Sequence, residues 1–116
     1  MTSSEPTPPP NVSLLRMDVA TADGTSRVRL VGELDLSTVP ELQARVAALR
    51  AGGSTRVVLD LEELDFIDST GLRMILELHG EAARDGFTLA LVPGGEAVQR
   101  VFDVTGTADV LPFIEG

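Results

Sequence analysis

The feature that most constrains the fold is a short apolar run near the middle of the chain, Val57-Val58-Leu59-Asp60-Leu61. Its apolar side chains would point to both faces of a strand, and strands of this kind are typical of the interior of a parallel sheet. Neighbouring parallel strands need a long crossover connection, which is usually a helix. The run therefore predicts a central strand with helices before and after it.

The segment upstream of this strand predicts a hairpin. Leu15, Met17 and Val19 alternate with polar residues, which is the period of two expected of a half-buried strand. Ala22-Asp23-Gly24 then supplies a turn. Alternate residues of the next strand would share its buried face, and these are Val28, Leu30, Gly32, Leu34 and Leu36.

A first helix is predicted between the hairpin and the central strand. Thr38 and Glu41 have the spacing of a capping box, and Pro40 lies in the first turn, where its missing N–H group costs nothing. The apolar positions step by three, four and three residues, at Val39, Leu42, Val46 and Leu49. Gly52-Gly53 would end the helix.

Two more helices and one more strand follow the central strand. Residues 69–84 predict a second helix, because an apolar stripe repeats at about 100° per residue, at Leu72, Ile75, Leu76, Ala82 and Ala83. Residues 87–92 predict a strand and residues 96–104 a third helix. Residues 110–114 fit either a short helix or an edge strand.

The order of elements is therefore β-β-α-β-α-β-α. It predicts a single α/β domain with a mixed, mostly parallel sheet of four to five strands and helices packed on it. In such sheets the functional site usually lies beyond the carboxyl ends of the strands.

Composition narrows the class of function. The chain has 116 residues, 18 acidic and 9 basic side chains and a net charge of −9, so we expect no direct binding to nucleic acid and no membrane association. No apolar run approaches the roughly 18 residues of a membrane-spanning helix, and no secretory signal opens the sequence. The chain has no cysteine and one histidine. We therefore predict a cytoplasmic protein with no metal site and no cofactor.

The first twelve residues differ in composition from the rest. They read MTSSEPTPPPNV, and four prolines among small polar residues cannot bury enough apolar area to fold. A proline-rich docking motif is the alternative interpretation. We predict a disordered proline-rich tail at residues 1–12 and one folded domain at residues 13–116.

The residues Asp68-Ser69-Thr70 lie where the second predicted helix begins. One interpretation is capping, since these side chains accept hydrogen bonds from N–H groups of the first turn. The other is a site of modification, because a helix N-terminus is partly positive and tolerates an anion. A phosphate on a hydroxyl there would change the local charge by about −1.5 to −2 without unfolding the domain. Both interpretations fit the residues alone.

Three stretches of the chain resemble the STAS domains of bacterial anti-sigma factor antagonists. Residues 57–76, VVLDLEELDFIDSTGLRMIL, resemble the centre of that family. Residues 31–35, Val-Gly-Glu-Leu-Asp, resemble a recurring stretch on its second strand, and residues 101–106 are similar to the end of its third helix. The three stretches occur in the family's order, and the resemblance covers about residues 13–115.

The resemblance implies a binding protein and not an enzyme. In this family the unphosphorylated protein binds an anti-sigma factor that is also a serine/threonine kinase, and binding frees a sigma factor. The kinase then phosphorylates the hydroxyl residue after the motif's aspartate, the complex dissociates, and a phosphatase reverses the change. By position, Ser69 is implied as the phosphoacceptor, with Thr70 as the alternative, Asp68 as the motif's aspartate and Asp35 as the acidic residue beside the acceptor. A monomer or a weak dimer is also implied.

Helical spacing predicts an exposed side of the second helix next to this motif. Arg73, Met74 and Glu77 fall on that side, where they would contact a partner or form a solvated face. Arg73 follows Ser69 by four residues and would be placed to pair with a phosphate. The predicted partner-binding residues are Asp35, Asp68, Ser69, Thr70, Gly71, Arg73, Met74 and Glu77.

Two other functions share features with the sequence. Retroviral-type aspartic proteases carry Asp-Ser-Gly or Asp-Thr-Gly, but Asp68-Ser69-Thr70-Gly71 is one residue longer and enters a helix. A serine hydrolase would need Gly-x-Ser-x-Gly, which is missing. We therefore predict no catalytic residues. The remaining alternative keeps the fold and makes the chain a STAS subunit of another signalling or lipid-transport complex, with a different protein partner.

Overall fold

A hairpin and two parallel crossovers build the sheet. The computed structural model describes residues 14–115, and the predicted tail at residues 1–12 lies outside this range. The elements follow in the order β1 (Leu15–Ala22), β2 (Thr25–Leu34), α1 (Val39–Ala51), β3 (Arg56–Asp60), β4 (Leu64–Ile67), α2 (Ser69–Asp85), β5 (Thr88–Val92) and α3 (Glu96–Val104). The predicted order is confirmed, with β4 as one short addition.

The central strand is β3, as its apolar sequence predicts. It pairs in parallel with β2 on one side and with β5 on the other, while β1 pairs antiparallel with β2. Val57, Val58 and Leu59 are all buried. The sheet is therefore mixed and mostly parallel, and the predicted α/β class is confirmed.

The short strand β4 pairs with β2 beyond the point where β3 ends. β3 pairs with the first half of β2, as far as Arg29 opposite Asp60. The chain then turns, and β4 pairs in parallel with the last residues of β2, with Leu34 opposite Ile67. The register of this pairing shifts between Gly32 and Glu33, and β4 is only four residues long, too short to show a clear period of two in the sequence. The pairing places the start of α2 directly beyond the carboxyl end of β2.

The helices α1 and α2 bury mostly the residues that their spacing predicts. Val39, Leu42 and Val46 of α1 belong to the main core, together with Leu72 and Ile75 of α2. The predicted stripe on α2 is wrong in two respects, because it omits two large buried side chains and includes one exposed residue. The omitted residues are Met74 and Leu78, and the exposed one is Ala83.

The connection between β2 and α1 departs from the prediction at two residues. β2 ends at Leu34, so Leu36 does not continue the buried face and is exposed. Thr38 is the N-cap of α1, but its side chain makes no capping hydrogen bond, so the predicted capping box is wrong. Its hydroxyl points inward, where it donates to the Glu33 carbonyl and accepts from the Asp35 N–H, both at 2.9 Å. Thr38 therefore ties the end of β2 to the loop.

The C-terminal segment adds an edge to the sheet. Phe113 forms an isolated parallel bridge with Leu91 of β5, which favours the predicted edge strand over a helix. Its ring meets that of Phe102 of α3 edge to face, with 5.1 Å between the ring centroids. Within residues 14–115, no helix has the length and apolar character needed to cross a membrane.

A buried ion pair joins β2 to β3 on the opposite face from the main core. Asp60 is fully buried, and its Oδ2 accepts from Nη2 of Arg27 at 2.8 Å and from Nε at 3.2 Å. Its Oδ1 accepts from the Glu62 N–H at 3.0 Å. Both carboxylate oxygens are thus satisfied, which a buried charge requires. Arg27 is half-exposed, so solvent reaches only one end of the pair.

We predict that Arg27→Ala lowers the free energy of unfolding by about 2 kcal/mol, because it leaves the buried Asp60 carboxylate without its cation. Arg56 is exposed at the start of β3, four residues before Asp60, and makes no ion pair with residues 14–115, so Arg56→Ala is the matched control. The control is expected to change stability by less than about 0.5 kcal/mol. Urea unfolding measures both variants, and equal losses would contradict the assignment.

Candidate functional site

The candidate site lies where β2 and β4 end and α1 and α2 begin. The Asp68 N–H donates to the Leu34 carbonyl at 3.2 Å, which extends the pairing of β2 and β4 by one step. The loop after β2 and the first turn of α2 are therefore neighbours. This position matches the expectation that the site lies beyond the carboxyl ends of parallel strands.

Asp68 connects the two parts of the site. Its Oδ1 accepts from the Gly71 N–H at 2.9 Å, which caps α2. Its Oδ2 accepts from the Leu36 N–H at 3.3 Å, in the loop between β2 and α1. The predicted capping role is therefore confirmed for Asp68, and the same carboxylate also holds the neighbouring loop.

Ser69 is the first residue of α2 and is exposed. Its hydroxyl makes no hydrogen bond with any other residue from 14 to 115, and the cap of α2 is supplied by Asp68. The next hydroxyl, on Thr70, is half-buried. Of the two candidate acceptors, Ser69 is therefore the more accessible to another protein.

Asp35 shapes the loop beside Ser69. Its Oδ1 accepts from the Ser37 hydroxyl at 2.7 Å, from the Ser37 N–H at 3.0 Å and from the Thr38 N–H at 3.2 Å. These bonds form an Asx-type turn, which ends β2 and starts α1. The hydrogen bond from the Ser37 side chain, with help from the backbone N–H groups, holds the pKa of Asp35 below its ordinary value.

Gly71 is buried where α2 crosses the end of β2. A Cβ atom at this position would lie 2.7 Å from the Leu34 carbonyl oxygen and 2.9 Å from Cγ1 of Ile67. Only glycine lets the helix approach the two strands so closely. The glycine of the Asp-Ser-Thr-Gly stretch therefore packs the helix onto the strands, and it presents no side chain to a partner.

The exposed side of α2 contains two of the three residues predicted there. Arg73 and Glu77 are exposed, and neither forms an ion pair with residues 14–115. The prediction that Met74 is exposed is wrong, because its side chain is only 2 % accessible. α1 packs along this side of α2, and Val46 and Met74 line the groove between them. Met74 is thus a core residue.

The surroundings of Ser69 are acidic. Glu33, Asp35 and Asp65 are half-buried or exposed near the ends of β2 and β4, and Asp68 precedes the hydroxyl. The first basic residue in α2 is Arg73, one turn after Ser69. A phosphate on Ser69 would therefore enter a region that is already negative. Within residues 14–115, no three aspartate, glutamate or histidine side chains are grouped so that they could hold a metal ion.

The sequence does not predict that two apolar residues at this end of the sheet are exposed. Leu36 was assigned to the buried face of β2, and Phe66 lies in β4, which no pattern predicted. The exposure of Leu36 could have been predicted from the Asp-Leu-Ser-Thr sequence at residues 35–38. An aspartate followed by serine and threonine favours an Asx turn over a continuing strand.

Comparison with known proteins agrees with this geometry. The STAS domain family model matches residues 16–115, and the chain therefore belongs to the STAS domain family. A relative from Staphylococcus epidermidis, named anti-sigma-B factor antagonist, is 31 % identical over 102 residues, which cover 88 % of this chain and 94 % of the relative. The Staphylococcus aureus protein of that name is 29 % identical over the same lengths.

Solved structures give the same family. An anti-sigma factor antagonist from Mycobacterium paratuberculosis superposes with a TM-score of 0.76 at 26 % identity, covering 88 % of this chain and 86 % of that one. The anti-sigma factor antagonist SpoIIAA in its unphosphorylated form shares the fold, with a TM-score of 0.72 at 23 % identity, covering 87 % and 88 % of the two chains. The resemblance to anti-sigma factor antagonists inferred from the sequence is confirmed.

We predict that Asp68→Ala destabilises the domain by about 1 to 2 kcal/mol, because it removes the cap of α2 and the bond to the Leu36 N–H. Asp68→Asn keeps an acceptor oxygen and is expected to lose less. Thermal or urea unfolding compares the two variants. If Asp68→Ala were as stable as the parent protein, the carboxylate would not hold the two segments together.

The lowered pKa of Asp35 predicts a pH dependence. The folded carboxyl has the lower pKa, so its contribution to stability is present above about pH 4 and is lost as the pH falls through the lowered value. NMR titration of the Asp35 carboxyl group should give a midpoint below that of an ordinary aspartate. Ser37→Ala removes the largest cause and should raise the midpoint, whereas an unchanged midpoint would refute this cause.

Proposed function

We propose that this chain is an anti-sigma factor antagonist that is controlled at Ser69. In its unphosphorylated form it binds an anti-sigma factor that is also a serine/threonine kinase, and this binding releases a sigma factor. Phosphorylation of Ser69 ends the binding, and a phosphatase restores it. The protein itself is a cytoplasmic binding module without catalytic residues, either a monomer or a weak dimer.

One observation carries the proposal: Ser69 has an exposed hydroxyl that bonds to no other residue in the described range, and it lies at the N-terminus of a helix that is already capped. Phosphorylating Ser69 would break no hydrogen bond within residues 14–115, and the partial positive charge of the helix N-terminus would favour the new anion. The fold is therefore expected to survive the modification. The names of the relatives and of the structural neighbours support the choice of an anti-sigma factor as the partner.

The charge of the site explains why the modification would end binding. A phosphate would add about 1.5 to 2 negative charges beside Asp68 and near Asp35. Like charges brought together and desolvated at a packed interface cost several kcal/mol. At about 1.4 kcal/mol for each tenfold change in affinity, this corresponds to a loss of two to three orders of magnitude.

We predict that Ser69→Asp weakens the binding of the anti-sigma factor by about a hundredfold or more, whereas Ser69→Ala binds like the parent protein. The probes are purified serine/threonine kinases of the source organism that act as anti-sigma factors. Calorimetry gives the dissociation constant of each variant for each probe. Equal affinities of the two variants would contradict a charge switch.

The acceptor itself is identified by intact-mass analysis after incubation with each kinase and ATP. The parent protein and Thr70→Ala should gain one phosphoryl group, and Ser69→Ala should gain none. A phosphoryl group on Ser69→Ala that disappears in Thr70→Ala would move the acceptor to Thr70. Capture of a transporter ATPase in place of an anti-sigma factor would instead favour a STAS subunit of a transport complex.

A further inference from the structure

Two exposed apolar side chains lie at the same end of the sheet as Ser69. Leu36 is 73 % accessible and Phe66 is 48 % accessible, although most large apolar residues of the domain are buried. Phe66 precedes Asp68 by two residues on β4, and Leu36 donates its N–H to the Asp68 carboxylate. We call the surface formed by Asp35, Leu36, Phe66, Asp68 and Ser69 the acceptor surface.

The backbone holds both apolar residues in place. Leu36 lies within the turn that the Asp35 side chain forms, and its own N–H donates to the Asp68 carboxylate. Phe66 is paired with Glu33 in the parallel ladder between β2 and β4. A segment whose backbone is already ordered loses less conformational entropy when a partner covers it. An exposed leucine and an exposed phenylalanine on fixed backbone are therefore suited to act as anchors in an interface.

The rim of this surface indicates the chemistry of its partner. Glu33, Asp35, Asp65 and Asp68 belong to the same segments as the two apolar residues and are half-buried or exposed, so this end of the sheet is acidic. A complementary surface would offer an apolar pocket bordered by arginine or lysine side chains.

We propose that Leu36 and Phe66 are the apolar anchors through which the acceptor surface docks onto an anti-sigma factor, in an apolar pocket with a basic rim. This inference rests on the proposed function and adds to it the residues that determine affinity and partner choice. The two anchors come from two separate segments next to Asp68, Leu36 from the loop after β2 and Phe66 from β4. They therefore fix the orientation of Ser69 as well as its distance from the partner.

The test measures binding of Leu36→Ser and Phe66→Ser to the same purified anti-sigma factors with kinase activity. Each variant is expected to bind about tenfold more weakly, and each should be phosphorylated with a reduced kcat/KM, because docking orients the acceptor. Val104→Ser is the matched control, since Val104 is 77 % accessible but lies at the end of α3. Leu36→Met and Phe66→Leu keep an apolar side chain and should retain most of the affinity.

Circular dichroism and thermal unfolding of each variant verify that the fold is retained, as expected for exposed positions. Tight binding by the parent protein and by both serine variants would overturn the anchor role but leave the proposed function intact, provided that Ser69→Asp still loses binding. An equal loss in Val104→Ser would also overturn it, because the effect would then not depend on position. Failure of the parent protein to bind any of these anti-sigma factors would overturn the proposed function and the anchors together.

Discussion

The geometry of the site depends on the way β2 changes its partner along its length. Its first half pairs with β3 and its last residues pair with β4, so the chain leaves the sheet beside Leu34 and enters α2 at once. Gly71 permits the close approach, because any side chain there would collide with the Leu34 carbonyl. The register of three strand residues thus sets where the first turn of α2 lies.

Asp68 uses this proximity twice. One carboxylate oxygen caps α2, and the other binds the backbone of the loop between β2 and α1. Asp35 and Thr38 hold the same loop from within through their side chains. The loop between β2 and α1 is therefore held by two carboxylates, that of Asp35 within the loop and that of Asp68 from the start of α2. The site needs both segments.

Much of this architecture follows from the sequence. The apolar residues 57–59 require a strand buried on both faces, and the spacing of Val39, Leu42 and Val46 requires a helix against it. The start of α2 is predicted because aspartate, serine and threonine favour helix N-termini. These features depend on local preferences and on periodicity, which a single sequence contains.

The errors arise where long-range contacts decide the outcome. Helical spacing places Met74 beside the exposed Arg73, but α1 packs against Met74, and the angle between two helices is not encoded in the spacing of either. Thr38 has the sequence of a capping residue, yet its hydroxyl is used by Glu33 and Asp35 because the loop folds over it. The strand β4 is only four residues long and depends on the free edge of β2.

The two interpretations of Asp68-Ser69-Thr70 that the sequence leaves open are compatible in the folded domain. Capping requires only one acceptor at the start of α2, and the Asp68 carboxylate supplies it. The Ser69 hydroxyl is therefore not needed for the stability of the helix, although it lies in the helix's favourable electrostatic field. A residue that had to cap the helix could not be modified without cost to the fold. Because a neighbour performs that task, the proposed phosphorylation of Ser69 would leave the cap of α2 in place.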